Sequence, residues 1–303
     1  MKRNSLHQPL IALLTAVVWG SSFVPLSISA QVLDPFTLNT VRNFLAAAFL
    51  LVIALFMKRD KGAAKTPEEK KADAKTLILG GCICGACIAG ATVIQQVGLK
   101  DTTAGKAAFI SALYVVLVPV LGLFFRKKAG TTVWLGVLTA VIGLYFLCVT
   151  EGFSVASPDI WIMASSVLFA LQIIAVDHYC EKTDSVWLAF VQFASATVFT
   201  GIFAVIFGST PVSAVKECLL PLIYLGVIAH GGGFTLQIFA QKGANPTVIS
   251  LILSLETVVA TVAGALLLNE SLSLRELLGC VIMLVAVILA QLPSKKKLST
   301  ERN

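Results

Sequence analysis

A chain of 303 residues in which 57% are apolar and 13% charged is too apolar for an ordinary soluble domain. Apolar runs of about 20 residues recur along it, each long enough to cross a bilayer core of roughly 30 Å. It therefore reads as an all-α, polytopic membrane protein, and the length of the runs excludes a β-barrel. The net charge of +7 does not point to nucleic acid, because the basic residues cluster in loops between the apolar stretches.

The start, residues 1–9, is short and basic at Lys2 and Arg3. The first predicted helix runs from about Pro9 to Ala30. It has the look of a signal peptide ending before Gln31. A counterpart near Asp159 to Tyr179 argues that it is retained. Its centre reads Trp19-Gly20-Ser21-Ser22-Phe23, a small polar break that suits tight helix packing. Asp34-Pro35 starts the second helix, about Phe36 to Met57, with Asn39, Arg42 and Asn43 in its first turns. Arg42 either snorkels to the headgroups or faces a cavity.

Residues 58–75 form the long hydrophilic segment, read as a solvated loop or surface helix. The third helix, about Thr76 to Val97, is rich in Gly and Ala and ends with Gln95 and Gln96. The fourth, about Thr103 to Phe125, holds Lys106, Ser111, Tyr114 and Pro119. Lys106 is expected near the outer surface. The fifth runs from about Thr132 to Thr150. The sixth begins at Ser157-Pro158-Asp159 and ends near Asp177-His178. The seventh, about Val186 to Gly208, contains Gln192. The eighth, about Leu219 to Ala240, holds His230-Gly231-Gly232-Gly233 at its centre. Each glycine costs a helix about 1 kcal/mol relative to alanine, so this run predicts a close approach or local break beside a cavity. The ninth follows Asn245-Pro246. The tenth runs from about Ser273 to Leu292, and a basic tail, residues 293–303, follows.

The seven cysteines make no disulfide framework. Most lie inside apolar helices, where cysteine acts as a small hydrophobe. Cys82-Ile83-Cys84-Gly85-Ala86-Cys87 resembles a metal motif, but no histidine or second cysteine pair follows at zinc spacing. No metal or cofactor is expected.

The two halves match. At an offset of 142 residues Lys100 falls on Lys242, Leu113 on Leu255, Tyr114 on Glu256 and Gln95 on Gln237. At 150 Asp34 falls on Asp184 and Arg42 on Gln192. The shared order of helices and polar marks implies a duplicated unit of five helices. The expected division is residues 10–150 and 158–292. With both ends placed in the cytoplasm, inner segments carry 18 Lys and Arg and outer segments 4. That bias predicts both termini inside. Five is odd, so the second unit must enter the membrane inverted, an arrangement typical of transporters with a site near the midplane.

Glu256 is the acid deep in an apolar helix, roughly 13 Å in from Thr247 at 1.5 Å per residue. A carboxylate there costs about 2.5–3.5 kcal/mol on insertion scales, so it should face protein or a watery cavity. It is also a candidate to carry a proton through a transport cycle. His230 follows, with a carbonyl of the glycine run as its alternative partner. Gln95 and Gln237 occupy matching places. An intramembrane hydrolase is disfavoured: no His-Glu-x-x-His or Gly-x-Ser-x-Gly pattern occurs, and no phosphate-binding glycine loop is present.

Three groups of residues carry a resemblance. They are Trp19-Gly20-Ser21-Ser22-Phe23, Arg42, and Ser254-Leu255-Glu256-Thr257-Val258 followed by Leu268-Asn269-Glu270-Ser271-Leu272 and Gly279. The chain resembles the drug/metabolite transporter superfamily, in the branch built from two EamA-type repeats, over about Pro9 to Leu292. The family pattern has a proline where this chain has Thr257 and a glycine where it has Asn269. The resemblance implies a secondary carrier, and an exporter, working by alternating access. Its cavity would draw on Trp19, Gln95, Tyr114, Gln172, His230, Gln237 and Glu256. Arg42 joins these as a candidate substrate-binding residue. The expected protein is a multi-pass transporter of a cytoplasmic membrane that moves small polar or amphipathic metabolites such as amino acids. A lipid flippase of the same fold is the alternative. Expected partners are a small-molecule substrate and membrane lipid, with a coupled proton and a homodimer as candidates.

Overall fold

The computed structural model describes residues 7–57, 66–99, 109–124, 129–148, 157–267 and 273–292. It is a helical bundle. We number its long helices α1 (His7–Val32), α2 (Pro35–Phe56), α3 (Pro67–Leu99), α4 (Phe109–Phe124), α5 (Thr131–Cys148), α6 (Ser157–Tyr179), α7 (Ser185–Phe207), α8 (Leu219–Gln241), α9 (Pro246–Leu253 and Glu256–Leu267) and α10 (Leu274–Gln291). A short helix, Val212–Glu217, joins α7 to α8. Eight are long and apolar enough to cross a membrane, and α4 and α5 are shorter apolar helices. Lys100, Lys106, Asn269, Glu270 and the basic tail lie outside the described residues.

The helix starts follow from the capping residues. Asp34 accepts from the backbone N–H groups of Phe36 and Thr37, and Asp184 accepts from those of Val186 and Trp187. The two aspartates that the repeat aligns thus cap α2 and α7 in the same way. Asn245 caps α9 with Pro246 in its first turn, and Ser273 with Glu276 makes a capping box on α10. α3 begins earlier than the hydropathy suggested. Thr66 and Glu69 form a capping box of their own, so residues 67–75 extend the membrane helix instead of looping away.

Helix pairing carries the duplication into three dimensions. α2 packs on α7 and α5 on α10, each on its own repeat counterpart. α3 packs on α6, and its counterpart α8 packs on α1; α4 meets α6 as α9 meets α1. Exchanging the halves leaves this pattern unchanged, as a two-fold between inverted repeats requires. Small residues set the close approaches. A Cβ on Gly143 would meet Met283 and the Gly279 carbonyl, and one on Gly279 would meet Leu147 and the Gly143 carbonyl. The faces turned away from these contacts keep large apolar side chains exposed, among them Val205 at 89% and Phe56 at 84%. Such continuous exposure belongs against lipid.

Asp34 does more than cap. Its second carboxylate oxygen accepts from the backbone of Ser209 and Thr210 and from the Thr210 hydroxyl, and its own N–H donates to that hydroxyl at 2.8 Å. This ties the α1–α2 turn to the segment after α7. Burial opposes the charge, but the hydrogen bonds from Thr210, Thr37 and Ser209 outweigh it and bring the pKa down from 3.8 to about 2. A folded pKa below the unfolded one means that the tie stabilises above about pH 4 and is lost as the pH falls towards about 2. Asp34→Ala is expected to cost about 1–2 kcal/mol through the cap alone. Asp184→Ala, which loses only a cap, should cost less. Equal shifts in unfolding temperature for the two variants would show that the tie contributes nothing.

Candidate functional site

The repeat-related helices α4 and α9 are interrupted at the same aligned position. In α4 the turn falls at Leu113, whose N–H bonds the Ile110 carbonyl three residues back. In α9 it falls at Ser254 and Leu255, where the Leu255 N–H bonds the Ile252 carbonyl. Interrupted helices expose backbone polar groups and are tolerated at membrane depth only inside protein or beside a cavity. The next residue in each is Tyr114 and Glu256. Tyr114 Oη donates to Glu256 Oε1 at 3.1 Å. Two positions that the duplication superposes are therefore bonded to each other and lie astride the pseudo-two-fold. Glu256 also opens the second piece of α9, where the positive end of the helix dipole favours a carboxylate.

Around this pair the helices leave an empty space of about 820 Å³, open solvent at its mouth included. All eight predicted site residues line it: Trp19 from α1, Arg42 from α2, Gln95 from α3, Tyr114 from α4, Gln172 from α6, His230 and Gln237 from α8, and Glu256 from α9. Leu26, Arg42, Gln95, Ser111 and Leu225 lie near the helix ends at the α1–α2, α3–α4 and α7–α8 connections, so the cavity occupies the half of the bundle away from the chain termini. Arg42 does not snorkel. It is 4% exposed, with Nε donating to Asn39 Oδ1 at 3.0 Å and Nη2 donating to the same oxygen. Asn39 in turn donates to Gln96 Oε1 at 3.0 Å. Adjacent glutamines thus divide, Gln95 to the cavity and Gln96 to the α2–α3 contact.

At the floor Gln172 and Gln237 exchange amide hydrogen bonds of 3.3 and 3.0 Å, and Gln172 also donates to Gln192 at 3.2 Å. This amide clasp joins α6, α7 and α8 below the cavity. The glycine run of α8 falls in an 11-residue π-helical stretch, Tyr224–Phe234. The wider π turn is common at functional sites. It lets Trp19 Nε1 donate to the Ala229 carbonyl at 3.1 Å, and a Cβ on Gly233 would stand 2.5 Å from that nitrogen. His230 Nδ1 bonds Asn43 Oδ1 at 3.0 Å, so its partner is a side chain of α2 and not a carbonyl of the glycine run.

Several lining residues escaped the sequence reading. Ser22 and Phe23 belong to a run whose composition suits packing, and Gly20 of that run does meet α9 closely, its Cβ position 2.6 Å from the Glu256 carbonyl. Phe169 and Phe234 gave no signal, being aromatic residues in apolar helices. Ser111, which accepts from Gln95 Nε2 at 2.9 Å, was visible as a polar residue but not as part of a site. Among the described residues no cluster of three or more His, Cys, Asp or Glu suits a metal ion.

A helical bundle with inverted pairing and a central cavity where polar side chains are set among aromatic and aliphatic ones is the architecture of a membrane carrier. The EamA-like transporter family matches residues 8–149 and 156–292, one copy on each half, and the chain belongs to that family. It is 32% identical over 280 residues to an uncharacterized transporter of Archaeoglobus fulgidus, covering 92% of this chain and 84% of the relative. It is 24% identical over 310 residues to the uncharacterized transporter YcxC of Bacillus subtilis, covering 96% of each. A crystal structure with 16% identity superposes with a TM-score of 0.76 over 95% of this chain and 98% of that one, which shows the shared fold. Family and relatives are named as transporters, not as enzymes.

Proposed function

We propose that the protein is a secondary active transporter that exports small polar or amphipathic metabolites, amino acids among them, by alternating access at the cavity between residues 10–150 and 158–292. The observation that carries this reading is the pairing of Tyr114 with Glu256 at the breaks of α4 and α9, inside the space that also receives Gln95 and Gln237. A site built from matched elements of two inverted repeats can be opened to either side by rocking one against the other. With the termini in the cytoplasm, as the 18-to-4 bias of Lys and Arg favours, the cavity faces outward and the amide clasp closes its inner side. Export then requires Gln172 and Gln237 to part in the opposite state. Glu256 is the residue placed to carry a coupled proton.

The test is a ligand-induced thermal shift on purified protein, screening amino acids, other polar metabolites, organic cations and lipid headgroups. A ligand at about 100 times its Kd stabilises by about 2.7 kcal/mol, a readily measured shift. Stabilisation by a class of polar solutes supports the reading. Stabilisation by lipid headgroups alone would replace it with a flippase.

A further inference from the structure

We propose that Ser22, Arg42 and Gln95 are the outer gate of the opposite state, closing there into a clasp that is the two-fold image of the one made by Gln172, Gln192 and Gln237. This rests on the alternating-access reading above and supplies what that reading leaves open, the group that seals the mouth of the cavity.

Gln192 falls on Arg42 and Gln237 on Gln95 when the halves are superposed, and at the same offset of 150 Gln172 falls on Ser22. The whole existing clasp belongs to the second repeat, and all of its counterparts belong to the first. The second set is bonded together: Gln172 donates to Gln192 at 3.2 Å and to Gln237 at 3.3 Å, and Gln237 donates back at 3.0 Å. The first set lines the open cavity, and its members bond elsewhere. Ser22 donates to the Trp19 carbonyl, Arg42 to Asn39 and Gln95 to Ser111. One repeated unit thus occurs in two conformations within one molecule, closed in the second copy and open in the first. Because the copies are inverted, exchanging the two conformations turns the cavity to the other side.

The side chains fit that image. Ser22 is two atoms shorter than Gln172 and Arg42 two atoms longer than Gln192, so the reach across the clasp is kept. The hydrogen-bonding capacity is kept too. The Ser22 hydroxyl, which donates to the Trp19 carbonyl at 2.7 Å, has lone pairs to accept from the guanidinium and from the Gln95 amide. The partners that hold the first set apart have no image in the second. Ser111 falls on Leu253 and Asn39 on Ala189, both apolar and buried. Only the first repeat has acceptors that compete with its own clasp for Gln95 and Arg42, which accounts for its standing open while the second is closed.

The experiment measures distances between two nitroxides by pulsed electron resonance, on the full chain in lipid nanodiscs. The labels are carried by a ketone-bearing unnatural amino acid, so the native cysteines stay as they are. One pair, at Val32 and Val97, spans the outer ends of α1 and α3. Its two-fold image, at Lys182 and Phe239, spans the inner ends of α6 and α8, and all four positions are exposed. In the unmodified protein the inner pair is expected to be short and the outer pair long. Asn39→Ala/Ser111→Ala removes the competing acceptors. It should raise the ratio of short to long outer distances about tenfold, the scale of a lost hydrogen bond to a charged group, with the inner pair lengthening in step. Gln192→Ala weakens the inner clasp instead and should act in the same direction, which keeps the test available if the first variant does not fold. In the Gln192→Ala background, Arg42→Gln should cancel the rise. Adding Ser22→Gln, which copies Gln172 and so restores the reach, should bring it back, a rescue that a merely structural arginine would not show. An exchange of distances undiminished by Arg42→Gln would overturn the clasp and leave alternating access standing. Outer distances that stay long in every folded variant would also overturn it. Counterflow of a mixed metabolite extract into proteoliposomes then separates the two readings: movement of solutes removes this inference alone, and movement of none removes the transport reading with it.

Discussion

Glu256→Gln is expected to abolish transport while leaving the protein folded. The amide keeps the shape of the side chain, and its oxygen still accepts from the Tyr114 hydroxyl now placed 3.1 Å from Oε1. What disappears is the charge. If the acid were there for structure, its loss would lower the unfolding temperature. If it serves a solute or a proton, the fold gains by losing a buried ionisable group, and the unfolding temperature holds or rises. The rate of solute movement should fall about 30-fold or more, the scale of losing one charge-assisted contact inside a desolvated site, and the pH dependence of transport should flatten. Unchanged transport with unchanged pH dependence would remove Glu256 from the mechanism.

The second large effect is on assembly. Gly85→Ala puts a Cβ 2.0 Å from Ser195 Oγ and 2.4 Å from the Gln192 carbonyl, and the latter is backbone that cannot turn aside. The α3–α7 contact must separate, disturbing Gln192 and through it the amide clasp. Overpacking of this kind costs about 1–3 kcal/mol. In an open helix the same exchange would gain about 1 kcal/mol of propensity, so the sign itself is diagnostic. Gly201→Ala is the control, because its Cβ would meet only Thr40 Cγ2 at an ordinary 3.6 Å. Thermal unfolding should show a clear loss for Gly85→Ala and none for Gly201→Ala. A stabilised Gly85→Ala would mean that α3 and α7 pack less closely than described.

Much of this was legible in the sequence because membrane burial makes polar residues informative. Glu256, His230 and Gln237 stand out in apolar helices, and the aligned pairs Tyr114 with Glu256 and Gln95 with Gln237 pointed to one lining. Ten apolar segments, the helix start at Asp34 and its alignment with Asp184 were likewise visible, whereas the cap that Asp184 makes on α7 emerges only from the structure. Other features depend on helix rotation, which hydropathy does not encode when a helix is apolar on every side. Gln95 and Gln96 are neighbours with different destinations, and nothing local says which faces the cavity. Arg42 was ambiguous because its depth allowed both snorkelling and burial; Asn39, one turn back, settles it by accepting its N–H groups. Hydropathy alone starts α3 at about Thr76 and leaves residues 58–75 as a solvated loop or surface helix; the capping box of Thr66 and Glu69 decides for helix and joins residues 67–75 to α3. Phe169 lines the cavity too, but an aromatic residue in an apolar helix carries no mark that separates lining from packing.

If solute passes through the space between the repeats, a plug in that space must stop it, and counterflow in proteoliposomes tests this most directly. Ser22→Trp fills the cavity from α1, and Val205→Trp adds the same ring on α7 at a residue that is 89% exposed. Saturable counterflow is expected in the unmodified protein and in Val205→Trp, and its loss in folded Ser22→Trp. Equal counterflow in both variants would contradict passage through this space.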